Sequence, residues 1–126
     1  MFVYRDTADD SAESSSEASR DKFVARLPAG LRSKQKLLRA LATKLQLPHY
    51  FGQNWDALEE CLADFSWFPQ KKIELVHADL PLYTGGDQLG IYLSVLASAC
   101  ERCERLTVIF PTSARQEVEE TLAGER

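Results

Sequence analysis

Leu47–Phe65, LPHYFGQNWDALEECLADF, carries the sharpest local pattern in this 126-residue chain. Pro48 ends whatever helix precedes it, because the residue before a proline is pushed out of the helical region. Gly52 permits a tight loop, and Asn54 is a good N-cap, so the spacing predicts a helix opening at Trp55. Trp55, Leu58, Leu62 and Phe65 then fall at i, i+3, i+7 and i+10, a single apolar stripe. Pro69 is expected to close the element. The opposite side carries Asp56, Glu59, Glu60 and Asp64, with Ala63 among them. Like charges at i and i+4 (Asp56 with Glu60, Glu60 with Asp64) repel by roughly 0.2–0.5 kcal/mol per pair. Asp56 recovers part of that from the helix dipole, whereas Glu60 and Asp64 lie too far along to benefit. Solvated helix faces normally intersperse lysine. This one adjoins an aromatic loop, His49-Tyr50-Phe51-Gly52, and rings beside carboxylates have the composition of a binding surface.

Working away from that stretch, the rest of the fold follows. Upstream, Lys22–Leu27 (KFVARL) reads as a strand and Pro28-Ala29-Gly30 as its turn. From Ser33, an N-cap, Leu37, Leu38, Leu41 and Leu45 recur at helical spacing. Downstream, Lys72–His77 (KIELVH) alternates as a strand with Ile73, Leu75 and His77 on one face. Residues 78–87 form a loop rich in Gly, Pro and Asp. Leu89–Cys103 reads as a long helix and Leu106–Phe110 (LTVIF) as a fully apolar strand stopped by Pro111. The order β-α-α-β-α-β implies parallel pairing through helical crossovers. The expected fold is α/β: a three-stranded parallel sheet packed with three to four helices. Residues 1–21 are expected to be an acidic, disordered tail, with the short Phe2–Arg5 run able to pair at a sheet edge. Residues 22–111 form the domain, and residues 112–126 form a C-terminal extension with a short helix over Gln116–Leu122.

Apolar content of 44% and charged content of 27% are ordinary for a globular domain. The net charge of −4 conceals a polarity along the chain. Both ends are acidic, while Lys22 to Lys44 carries seven cations and no acid. The acids Asp56–Asp64 then follow with no Lys or Arg before Lys71. No apolar run approaches a membrane span, and the N-terminus has no apolar core of a secretory signal. Three cysteines do not make a disulfide framework, so a reducing cytoplasm is the expected compartment.

The run Leu47-Pro48-His49-Tyr50-Phe51-Gly52-Gln53-Asn54-Trp55-Asp56-Ala57-Leu58-Glu59-Glu60-Cys61-Leu62 resembles the signature of the barstar family, small intracellular inhibitors of microbial ribonucleases such as barnase. The resemblance spreads over roughly residues 22–111 through the same order of elements, and it implies a barstar-like fold. It also implies a function: an antitoxin-like inhibitor that plugs a cationic, phosphate-binding active site with an acidic helix. Barnase–barstar association is itself a reference case for charge-steered encounter. On this resemblance Tyr50 matches an interface aromatic, Gly52 and Asn54 shape the loop, and Asp56 matches an inhibitory acid. Glu60 stands where the family has an active-site-filling aspartate, Glu59 where it has a tryptophan, and Ala63 where it has a threonine. The position of a further family acid, on the last long helix, falls near Ser98 here, so that acid is absent from this chain. The partner-binding set is therefore Tyr50, Phe51, Gly52, Asn54, Asp56, Glu59, Glu60 and Ala63. The expected partner is a small cationic ribonuclease, with no membrane, no cofactor and no direct nucleic acid, and the free protein is expected to be a monomer.

Other patterns point elsewhere with less force. Cys100-Glu101-Arg102-Cys103 is a C-x-x-C, but it lies late in a helix without a second such pair, so ordinary thiols are expected rather than a metal. Arg32, Lys34, Lys36, Arg39 and Lys44 form a basic side on the first helix, and an RNA-binding adaptor is the alternative function. No nucleophile–base order, phosphate loop or metal spacing suggests an enzyme.

Overall fold

A computed structural model of the chain describes residues 1–5, 17, 18, 20–47, 54–82 and 87–124. The strands are β1 (Phe2–Arg5), β2 (Glu17–Ala18), β3 (Lys22–Leu27), β4 (Lys72–His77) and β5 (Leu106–Pro111). The helices are α1 (Lys34–Lys44), α2 (Trp55–Asp64), α3 (Gln88–Arg102) and α4 (Arg115–Gly124). They build one five-stranded sheet in the order β1-β5-β4-β3-β2. The β3–β4, β4–β5 and β5–β1 pairs are parallel, and only β2 runs antiparallel, to β3.

The sheet thus has four parallel strands and one short antiparallel strand where three parallel strands were expected. Both additions come from the first 21 residues. Phe2 and Tyr4 alternate toward the helices: Phe2 meets Phe110 at 6.0 Å, and the Arg115 guanidinium lies over the Tyr4 ring at 5.5 Å. A four-residue run reveals no such long-range pairing by itself, because the partners that make it worthwhile are more than a hundred residues away. Glu17–Ala18 joins through backbone pairing to Val24 and Phe23, which leaves no side-chain pattern to read. Residues 6–16 and 19 of that segment lie outside the described residues.

Period-two alternation divides the sheet. Phe23, Ala25, Leu27, Ile73, Leu75, Leu106, Val108 and Phe110 join the main core with residues from all four helices. Val24, Val76 and Ile109 form a smaller cluster on the other side, flanked by Val3. Glu74 is also buried on that side, with Lys22 Nζ 3.8 Å away. From α1, Leu37, Leu38 and Leu41 are buried, and Ser33 Oγ accepts from the Lys36 amide at 3.2 Å as a capping serine should. Helix α1 stops at Lys44, and Gln46 turns the chain away in the left-handed region at φ 53°.

Helix α2 ends in the same way, at Asp64, before Pro69 is reached. Phe65 adopts φ 49°, ψ 29°, a conformation costing a non-glycine residue about 1–2 kcal/mol. Its fully buried ring, 5.9 Å from Phe68 and 5.5 Å from Trp67, offsets that cost. Arg105 fixes the descending loop, donating to the carbonyls of Phe65, Phe68 and Gln70. These are charge-assisted bonds to helix-end and loop carbonyls, and the Phe65 carbonyl also accepts from the Phe68 amide at 3.1 Å. The short 106–110 core predicted for the last strand extends by one residue to Pro111, and the peripheral helix runs over Arg115–Gly124 with Val118 buried.

Candidate functional site: the carboxylate face of α2

Asn54 opens α2 by accepting the Ala57 amide on its side-chain oxygen at 2.8 Å. Leu58 and Leu62 are fully buried beneath the helix, and Cys61 beside them is 5% exposed. Trp55 is half-buried and positions the first turn. Its ring packs 6.0 Å from Tyr92 of α3, and its indole N–H donates to Gln88 Oε1 at 3.2 Å. The Lys34 ammonium lies 5.5 Å from the same ring. One cation of the basic α1 side is thereby placed on an aromatic face.

Tyr92 is itself held from below. Its hydroxyl lies 2.7 Å from His77 Nε2, and His77 Nδ1 lies 3.0 Å from the Ile109 carbonyl. A carbonyl only accepts, so Nδ1 carries the proton and the Tyr92 hydroxyl donates to Nε2. His77 also stacks on Phe110 at 4.1 Å. Burial drives its pKa down to about 4, the Ile109 hydrogen bond opposing, and burial holds the Tyr92 phenol well above its usual range. The neutral pair links β4, β5 and α3, and through Trp55 it fixes where α2 begins. Alternation along KIELVH puts His77 on the strand face but names no partner for it. Tyr92 carries no signal beyond helical periodicity, and Gln88 lies one residue before the predicted helix.

On the outward side, Asp56, Glu60 and Asp64 are exposed, while Glu59 and Ala63 are half-buried. Asp56 lies in the first turn, where the helix dipole favours it. Asp64 accepts from the Ser66 hydroxyl at 3.1 Å. Cys61, between these acids and the core, has its thiol pKa raised by burial first and by Asp64 and Glu60 next, so it stays protonated and unreactive. Glu59 differs from its neighbours: Arg102 Nη1, from the last turn of α3, reaches its carboxylate at 3.2 Å. The face therefore has a cation after all, delivered across the α2–α3 contact. Sequence reading missed it because a basic residue in a helix's last turn already has a local explanation in the dipole. Tyr50, Phe51 and Gly52, assigned to the same surface from sequence, lie outside the described residues, as does His49.

The remaining chemistry-bearing groups gather elsewhere. Cys103 is buried and Cys100 half-buried, and burial raises the Cys100 thiol pKa. Among the described residues no cluster of three or more His, Cys, Asp or Glu has the arrangement to hold a metal ion. None of the described helices is long and apolar enough to cross a membrane. A cleft of about 410 Å³ opens beyond the C-terminal ends of β4 and β5, between Asp79, Leu80, Ser113 and Glu117, and α2 contributes nothing to its walls.

The described elements thus build an α/β domain, its sheet parallel but for β2, that displays carboxylates on the outer side of one buttressed helix. The family profile described as Barstar (barnase inhibitor) matches residues 22–115, well over half of the chain, and the chain belongs to the barstar family. That family is one of ribonuclease inhibitors and not of enzymes. β1 and nearly all of α4 lie outside the matched residues. A search of curated proteins found no match to this chain.

Proposed function

We propose that this protein inhibits a small cationic ribonuclease by seating the outer face of α2 in the enzyme's phosphate-binding site. One observation carries the reading: in a chain of the barstar family, Asp56 and Glu60 are exposed on a helix whose opposite stripe, Leu58 and Leu62, is fully buried. Such a helix gives up no core contact when it is covered. A ribonuclease holds arginines and lysines where the RNA backbone passes, and carboxylates satisfy them with charge-assisted hydrogen bonds. The excess negative charge also accelerates encounter, which suits an intracellular, antitoxin-like inhibitor that must act before its own cell's RNA is cut. On the sequence resemblance, Tyr50 and Glu59 join Asp56 and Glu60 in the contact, with Phe51, Gly52 and Ala63 contributing to it, and Asn54 fixes the helix start. The free inhibitor acts as a monomer.

A titration of the protein into several small cationic ribonucleases, barnase included, tests this by following RNA cleavage. Stoichiometric loss of cleavage with at least one of them is expected, and an association rate that falls as salt rises. Unchanged cleavage across the series, at inhibitor in clear excess, would overturn the reading. An RNA-binding adaptor would instead bind RNA directly with an affinity that drops steeply with salt.

A further inference from the structure

The carboxylates of α2 are not equivalent, and the difference originates in α3. Arg102 reaches across from α3 to Glu59 at 3.2 Å, a contact 43 residues long in sequence. Its position is set by helix packing, because Leu93, Leu96 and Ala99 of α3 share the core with Leu58 and Leu62 of α2. The arginine side chain is 52% exposed and the glutamate 35% exposed. An ion pair so open to water contributes little to stability. Its effect is on the surface potential: Glu59 is partly neutralised, and a guanidinium stands at the rim of the acidic face with donors left over. Asp56 and Glu60, both exposed on the same outward side, keep their charge available.

We propose that Arg102 is a specificity-determining residue of the docking face: it holds Glu59 against α3 and sets a cation at the rim, selecting a cationic ribonuclease that places an acidic side chain there. This rests on the reading of α2 as the docking surface. A partner with cations opposite both Asp56–Glu60 and the rim meets repulsion from Arg102. A partner with an acid at the rim gains a bidentate match to the planar guanidinium. Discrimination by a repulsive element of this kind separates closely similar partners that attraction alone would not.

The test measures association with barnase by stopped flow at several salt concentrations, using the full chain and five variants. These are Arg102→Gln, Arg102→Glu, Arg102→Lys, Asp56→Asn/Glu60→Gln, and Lys71→Gln, the last removing an exposed cation that belongs to neither α2 nor α3. The Asp56→Asn/Glu60→Gln pair should slow association. Arg102→Gln should change the low-salt rate about two- to fivefold, upward if barnase presents a cation at the rim and downward if it presents an acid, with Arg102→Glu further in the same direction and both effects fading at high salt. Arg102→Lys should stay near wild type, and Lys71→Gln should show a smaller change. Equal effects of Arg102→Gln and Lys71→Gln would reduce Arg102 to net charge and overturn the proposal.

If wild type does not bind barnase, or the Asp56/Glu60 variant binds it as wild type does, the docking reading fails for that enzyme. A tetra-arginine peptide titrated into each variant by NMR then decides the role of Arg102. Binding tightened more by Arg102→Gln than by Lys71→Gln, with shifts along α2, supports it. Affinity equal to wild type overturns it.

Discussion

The two sides of α2 share ten residues and one backbone yet answer to different constraints. The inner side, Leu58 and Leu62, is sealed against the sheet and α3, and each methylene there is matched by a neighbour. The outer side, Asp56 and Glu60, has no described ion-pair partner, and its charges repel one another along the helix. Stability therefore sits on one stripe, and the proposed inhibition assigns recognition to the other. Glu59, tied to Arg102 at the boundary, belongs partly to both.

The largest expected effect lies on the inner side. Leu62→Ala should cost about 2–5 kcal/mol of unfolding free energy through the cavity it leaves, readable as a lowered denaturant midpoint. An unchanged midpoint would mean that the stripe does not carry the fold.

Next comes the support beneath the first turn. His77 has a folded-state pKa of about 4, below its unfolded value of 6.5, so the unfolded chain binds the extra proton between those values. The contribution is present in full above pH 6.5 and is lost as pH falls toward 4, amounting to about 3 kcal/mol. Unfolding curves between pH 7 and 4 should show this loss. They should show less of it in His77→Gln, which cannot take up the proton.

Asn54→Ala removes the cap that accepts the Ala57 amide and should cost about 0.5–2 kcal/mol by thermal or denaturant melting. Smallest of all is the outer side. Asp56→Ala/Glu60→Ala should move stability by no more than about 0.5 kcal/mol in either direction.

What the sequence made legible follows the same division. The three main strands, the Ser33 and Asn54 caps and the buried stripe of α2 rest on local periodicity and side-chain chemistry, and the structure has them at the expected places. Pairings between distant segments were hidden. β1 binds β5 across more than a hundred residues, Arg105 closes the α2–β4 loop, and His77 finds Tyr92 only when β4 and α3 pack. For the same reason the acids of α2 were visible from sequence and Arg102 was not. A run of carboxylates is a local fact, and its counter-ion is a tertiary one. Both helix ends after α1 and α2 were attributed to prolines, whereas Gln46 and Phe65 in left-handed conformations end them first.

The separation of the two sides is tested most directly by one measurement: ribonuclease inhibition by Asp56→Ala/Glu60→Ala beside wild type, at a temperature where both are fully folded. Using an enzyme that wild type inhibits, the expected result is a melting curve that overlays wild type and inhibition lost or weakened by at least tenfold. Full inhibition by a folded double variant, or unfolding of that variant at ambient temperature, would contradict the assignment of recognition to the outer side of α2.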